Sequence, residues 1–364
     1  MKRNRIKGTA ALLMTAVMLL AGCGGKEEPK TTAEAETTRE TADTQTEAET
    51  TTTGSVYDIN DYLPEETDNT GIHPALWRAA DPASGNSIYL FGTIHLTMNG
   101  VSPITDYVAD AIDSSDFVTI EFDTSKIATE PDLLRQYQAG LIYSDGSILP
   151  EHLSEETYNK IVDFAADRLG GWNDVYDYYN TGFWMSQISG ASIISIEGAD
   201  LQRSTEVCLI EYATEHGKPV QNVETLDECL AYVNAYTDKL ADALIPQNLE
   251  SIDSPDNVAM LADLYSAWAS GDLETIEEIS DYEQSEIPEE LSEDFEKYWD
   301  TMYTNRNKYM AERAAAHIKN GDKCLFTVGV AHYAGDTGII SLLEDMGYTV
   351  ERIDSADLEN KIAA

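Results

Sequence analysis

Two histidines stand in the same setting at opposite ends of this chain. In "YLFGTIHLT" (Tyr89 to Thr97) an apolar run reaches Gly92 and then His95; in "LFTVGVAHYAG" (Leu325 to Gly335) another reaches Gly329 and then His332. Each Gly-x-x-His closes a segment that reads as a buried strand. Neutral imidazole is the commonest protein ligand for first-row metals, and a carboxylate often joins it. Glu121 lies near the end of a third strand-like run, "FVTIEFD" (Phe117 to Asp123). Packing has no use for a carboxylate there, because burying one without a partner is costly. If His95, Glu121 and His332 converge, they form a two-histidine, one-carboxylate metal site with open positions. Water bound there would have a lowered pKa and could attack a carbonyl.

The elements around these residues alternate between strand and helix. "ALWRAADPASGNSIYLFGTIH" predicts two strands about a polar turn, "ITDYVADAIDSSD" a helix, and "FVTIEFD" the next strand. The last unit repeats this order. "KCLFTVGVAH" is a strand, "GIISLLEDMG" a helix and "YTVERID" a strand. The middle is mostly helical, with Ser154 capping "EETYNKIVDFAADRL" and Gly217 and Pro219 closing "TEVCLIEYATEHGKP". Short strands are expected in "IISIEGAD" and "VQNVET", and a long helix or pair of helices ends at Gly321. In open α/β sheets ligands bind beyond the carboxyl ends of strands, where both histidines lie. The glycines let the backbone turn sharply or approach a neighbour closely. The other histidines, His73, His152, His216 and His317, fall in loops or polar helices and carry no such signal.

The first residues belong to export. "MKRNRIKG" is a basic leader and "TAALLMTAVMLL" a short apolar core. "LAGC" follows, a lipobox-like cleavage point that would leave Cys23 as a lipidated N-terminus. Residues 24–69, rich in Thr and Glu, are expected to be a disordered tether with a reach of roughly 35–40 Å. Residues 70–364 form the domain. This predicts a protein anchored by lipid to the outer face of the cell membrane. A formal net charge of −43 excludes nucleic acid as a partner, since that needs a basic surface. With Cys23 acylated, Cys208, Cys229 and Cys324 remain; Cys208 and Cys324 read as core thiols, and a Cys208–Cys229 bridge is left open.

The quoted terminal units, with "GKPVQNVET" and "NRNKYMAERAAAHI", resemble the TraB/PrgY/GumN family, the group related to the Tiki metalloproteases, from about Ala75 to Ile353. The resemblance implies an α/β fold: a mixed sheet core with strand–Gly-x-x-His–helix–strand units at both ends and a large helical insertion, of the erythromycin-esterase-like and ChaN-like kind. It implies a metal-dependent peptidase acting on a peptide or protein, with manganese or cobalt, or zinc, as the ion. His95, Glu121 and His332 match its metal or catalytic positions. Glu224 matches the Glu of a Leu-Glu-Thr-like stretch in which Val223 here replaces Leu, and Arg306 and Asn307 match an Arg-Asn pair. Arg306 could bind a substrate carboxylate or stabilise an oxyanion, and Asn307 could orient it. Glu224 could be a ligand, a general base or the partner that fixes a histidine tautomer, and either Glu could be the base. A peptide-sequestering protein without turnover and a haem- or metal-handling protein are the competing expectations, and a homodimer is left open.

Overall fold

The computed structural model describes residues 57–64, 71–194, 196–200, 203–280 and 287–353. The leader, the lipobox and most of the expected tether lie outside these residues. One part of that tether does not. Strand β1 (Tyr57–Asp58) pairs with β6 (Ile196–Glu197), and Ile59 is fully buried in the core. The folded chain therefore begins before residue 70, because an apolar Ile59 and a free strand edge find partners in the helical half.

Six strands make the central sheet. They are β2 (Leu76–Ala80), β3 (Ser87–Thr93), β5 (Phe117–Ile120), β8 (Val220–Asn222), β9 (Cys324–Gly329) and β10 (Thr349–Arg352), in the spatial order β10–β2–β3–β9–β5–β8. The β2–β3 hairpin is antiparallel, with Leu76 opposite Phe91, as the polar turn predicts. β10 is antiparallel to β2, so it runs with β3. β3, β9, β5 and β8 are mutually parallel. The sheet is thus mixed, with β2 alone reversed. Each terminal unit is a parallel crossover: the first steps over β9, and the last steps over β3 and β2. A further short pair, β4 (Thr97–Met98) with β7 (Ala199–Asp200), ties the loop after His95 to the helical middle.

Strand alternation divides the core between the two faces. Leu76, Phe91, Val118 and Leu325 face one cluster, which extends into the helices Thr181–Ile194, Asp238–Ser251 and Pro255–Ser270. Trp77, Leu90, Phe326 and Val328 face the other, covered by the helices Asn305–Asn320 and Ile339–Asp345. The long C-terminal helix is interrupted: Ser292–Trp299 and Asn305–Asn320 are joined by a π-helical turn, Asp300–Thr304. Cys208, Cys229 and Cys324 are buried free thiols, so no Cys208–Cys229 bridge forms.

Candidate active site at the carboxyl ends of four parallel strands

Four adjacent parallel strands deliver the site. His95 follows β3, Glu121 follows β5, Glu224 follows β8, and Gly329 ends β9 with His332 just beyond it. The π-helical turn lies directly before Arg306 and Asn307, which begin the first turn of the last long helix. Such turns shift the register of the residues after them and are frequent at functional sites.

Neither motif glycine adopts the left-handed backbone that only glycine favours. Their role is close approach. A Cβ on Gly92 would lie 2.6 Å from Val330 Cγ2 and 3.0 Å from the Val330 backbone. A Cβ on Gly329 would come within 3.2 Å of Glu121 Oε1, the atom to which the Gly329 amide donates at 2.6 Å. The glycines therefore let β3 and β9 close on each other and let Glu121 settle against the backbone.

Arg306 is the hub. Its Nε and Nη2 donate to the two oxygens of Glu224, both at 2.7 Å. Nη2 also donates to Glu121 Oε2 at 2.7 Å, and Nη1 lies 3.1 Å from His332 Nε2. The Tyr232 ring sits 4.6 Å from the guanidinium carbon, a cation–π distance. Asn307 fixes the histidine tautomer. Its Nδ2 donates to the Thr337 carbonyl, which turns Oδ1 toward His332 Nδ1 at 2.6 Å. The proton of His332 is then on Nδ1, and Nε2 keeps a lone pair that accepts from Arg306.

Electrostatics follow from burial and these partners. Burial opposes charge on His332, and Arg306 adds to it, so the imidazole is lowered to about 3 and is neutral. Burial would raise Glu121, but Arg306, with His332 and His95, outweighs it and holds the carboxyl at about 2. Burial likewise pushes Glu224 up against the pull of Arg306. Arg306 is raised well above its ordinary value by the two carboxylates despite its burial.

His95 belongs to a second pair. Its Nδ1 lies 3.3 Å from Glu206 Oε2. Burial opposes its charge, but the Glu206 carboxylate, with Glu121, lifts the imidazole to about 9. Glu206 gives no signal in the sequence: an acid in the first turn of a helix is ordinary, and only the fold brings it to His95.

His95, Glu121 and His332 border one cavity of about 30 Å³, room for roughly a single water molecule. Ile193, Leu261, Leu264 and Val330 make its other walls mostly apolar. The donor chemistry suits a divalent cation: an ionised carboxylate and an imidazole Nε2 lone pair stand 3.9 Å apart. Arg306, however, already donates to both. Among the described residues, no group of three or more His, Cys, Asp or Glu side chains is gathered around a common ion position. The three expected ligands share a cavity, and two of them, Glu121 and His332, also meet the Arg306 guanidinium.

The remaining histidines stay outside. His317 Nδ1 meets Asp322 and His216 Nδ1 meets the Tyr212 carbonyl, both at 2.8 Å. His152 lies between Ser147 Oγ at 2.6 Å and Asp238 Oδ2 at 2.8 Å, the order of a serine-hydrolase relay. The nearby amides that would stabilise an oxyanion are already engaged: Ser147 donates to Asp145 at 2.9 Å, and Ile148 to Glu151 at 3.1 Å. The set pins a loop to the helix Asp238–Ser251.

The domain is thus of the α/β class, with a mixed sheet and buried charged groups beyond the ends of its parallel strands. The chain belongs to the TraB/PrgY/gumN family, whose profile it matches over residues 75–352. No curated protein and no solved structure matches it.

Proposed function

We propose that this domain is an extracytoplasmic hydrolase of peptide bonds, working with a divalent metal ion and held at the outer face of the cell membrane by a lipid on Cys23. The observation that carries this reading is the meeting of His95, Glu121 and His332 on one water-sized cavity that Thr93 and mostly apolar side chains complete. These three residues would hold the ion. Manganese, cobalt or zinc bound there would supply a Lewis acid and a bound water that ionises near neutral pH.

The chain's own residues prepare the site. Asn307 Oδ1 accepts a hydrogen bond from His332 Nδ1–H and leaves the lone pair on Nε2. The Gly329 amide and Arg306 keep Glu121 ionised. Glu224 balances the charge of Arg306. Ile193, Leu261 and Leu264 keep bulk water out. Because His332 Nε2 has one lone pair, engaging it elsewhere requires Arg306 Nη1 to release it.

A second reading is a protein that captures a peptide without cutting it. It is favoured by Arg306 already filling the donor atoms of Glu121 and His332.

The test is elemental analysis of the full chain purified without chelator, with turnover of a peptide library measured on the same sample. His95→Ala and His332→Ala are each expected to lose metal and turnover, and His317→Ala to keep both. Full metal occupancy in both of the first two variants would remove the shared ion site. Metal in the wild type without any turnover would leave the site and move the function to capture.

A further inference from the structure

Glu206 is a carboxylate whose two oxygens are both shielded from solvent. Burial would raise it, but His95, with the neighbouring Thr93 hydroxyl, holds it below its ordinary value. Its one ion-pair partner among the described residues is His95, 3.3 Å away. Shielding a carboxylate from water is costly unless it is paired, and here the pairing falls on a histidine of the site.

The surrounding chain is built to hold it there. Thr205 donates its amide to the Ile94 carbonyl at 3.1 Å, and the Ile94 amide donates to Thr205 Oγ1 at 3.3 Å. Thr97 Oγ1 donates to the Arg203 carbonyl at 2.8 Å and the Asp200 carbonyl at 3.0 Å. The β4–β7 pair closes the same clasp from the other side. Residues on both sides of His95 are thus riveted to the start of the helix Thr205–Glu215. Ser204 caps that helix by accepting from Val207. Glu206 lies in its first turn, where the helix dipole favours a negative charge. Glu206 does not line the cavity, whereas His95 does.

We propose that Glu206 is a positioning residue of the site: it takes the Nδ1 edge of His95 and thereby turns Nε2 toward the cavity. A carboxylate behind a histidine fixes its tautomer and ring orientation and raises its basicity, whether the ring then serves as a metal ligand or exchanges protons with water. The proposal goes beyond the hydrolase reading in one respect: the orientation of His95 does not depend on which of those two roles it plays.

The experiment uses the full chain labelled with ¹⁵N-histidine, with manganese(II) alone as the binding probe. In the wild type, His95 Nδ1 is expected to carry a proton at neutral pH. Glu206→Gln is expected to change the Nδ1 and Nε2 resonances of His95 and to weaken manganese binding by about 10- to 100-fold, in a chain that circular dichroism shows to be still folded at the temperature of the measurement. Glu206→Asp, which retains the charge on a shorter stem, is expected to recover part of both. Unchanged His95 resonances in Glu206→Gln would overturn the proposal. A wild type that binds no manganese would instead count against the metal reading, and the resonances would still decide the role of Glu206. If Glu206→Gln does not fold, the wild type carries the test, and a His95 Nδ1 that carries no proton at neutral pH would overturn the proposal.

Discussion

At the residue scale, two imidazoles that look alike in sequence are pushed in opposite directions. His332 meets a guanidinium and is neutral, lowered to about 3 from 6.5. His95 meets a carboxylate and is charged, raised to about 9 from 6.5. Each shift has a consequence for the metal-free chain. Between pH 6.5 and about 3 the unfolded chain protonates His332 while the folded chain does not, so stability falls as pH drops. Glu121, lowered from 4.5 to about 2, adds stability that is complete above 4.5 and lost toward 2. The stabilisation from His95 is present below 6.5 and is lost as pH rises through 9. The melting temperature of the metal-free chain should therefore peak near pH 6.5. Glu206→Gln should flatten the alkaline limb, and because Glu206 is itself held below its ordinary value by His95, it should also remove that group's share of the acid limb. Thermal melts followed by circular dichroism across both limbs check this. An alkaline limb that survives the substitution would mean that His95 draws its charge from another group.

At the scale of elements, the separation of β3 from the turn after β9 sets the geometry. Gly92 leaves no room for a Cβ, and the obstruction includes the Val330 backbone as well as its flexible end. The same glycine offers its carbonyl to Trp268 Nε1 at 2.9 Å, which couples this contact to the helix that walls the cavity. Gly92→Ala is expected to cost about 1–3 kcal/mol by overpacking, read from urea denaturation, and to displace the turn that carries His332. Gly329→Ala meets only a carboxylate oxygen at 3.2 Å, so a smaller loss is expected. Equal losses in the two variants would show that the strands can part here without strain. The π-helical turn belongs to this scale too, because it sets the register in which Arg306 and Asn307 enter the site.

At the scale of the molecule, the folded domain begins near Tyr57. Deleting residues from Lys26 up to the one before Tyr57 should leave the melting temperature within about a degree or two, since no described contact is lost. Extending the deletion through Leu63 removes Ile59, which is fully buried, and should cost on the order of 2–4 kcal/mol. Equal melting temperatures for the two deletions would show that this segment does not support the core. Among the described residues no helix is long and apolar enough to cross a membrane, so any attachment through Cys23 is a separate matter from the fold. Cys23→Ser should release the protein from the membrane fraction, and continued attachment would remove the lipid anchor.

The sequence by itself marked the main elements and the candidate residues. Apolar periodicity placed the β2–β3 hairpin and the crossover helices and marked the middle of the chain as mostly helical, because each depends on local spacing. The paired motifs exposed His95 and His332 because strand ends are marked by glycine and polarity in the chain itself. Glu121 stood out because a carboxylate within a β-branched run is costly unless something pairs with it. Other facts depend on pairs distant in sequence, and only the tertiary structure decided them. The sheet order brings four strand ends together, so Arg306 reaches Glu224, Glu121 and His332 across separations of up to 185 residues. It also brings Glu206, an ordinary first-turn acid in sequence, against His95. Local composition cannot distinguish a cation site filled by a metal from one filled by a guanidinium. That choice rests on which side chains a long-range packing delivers to the same few ångströms.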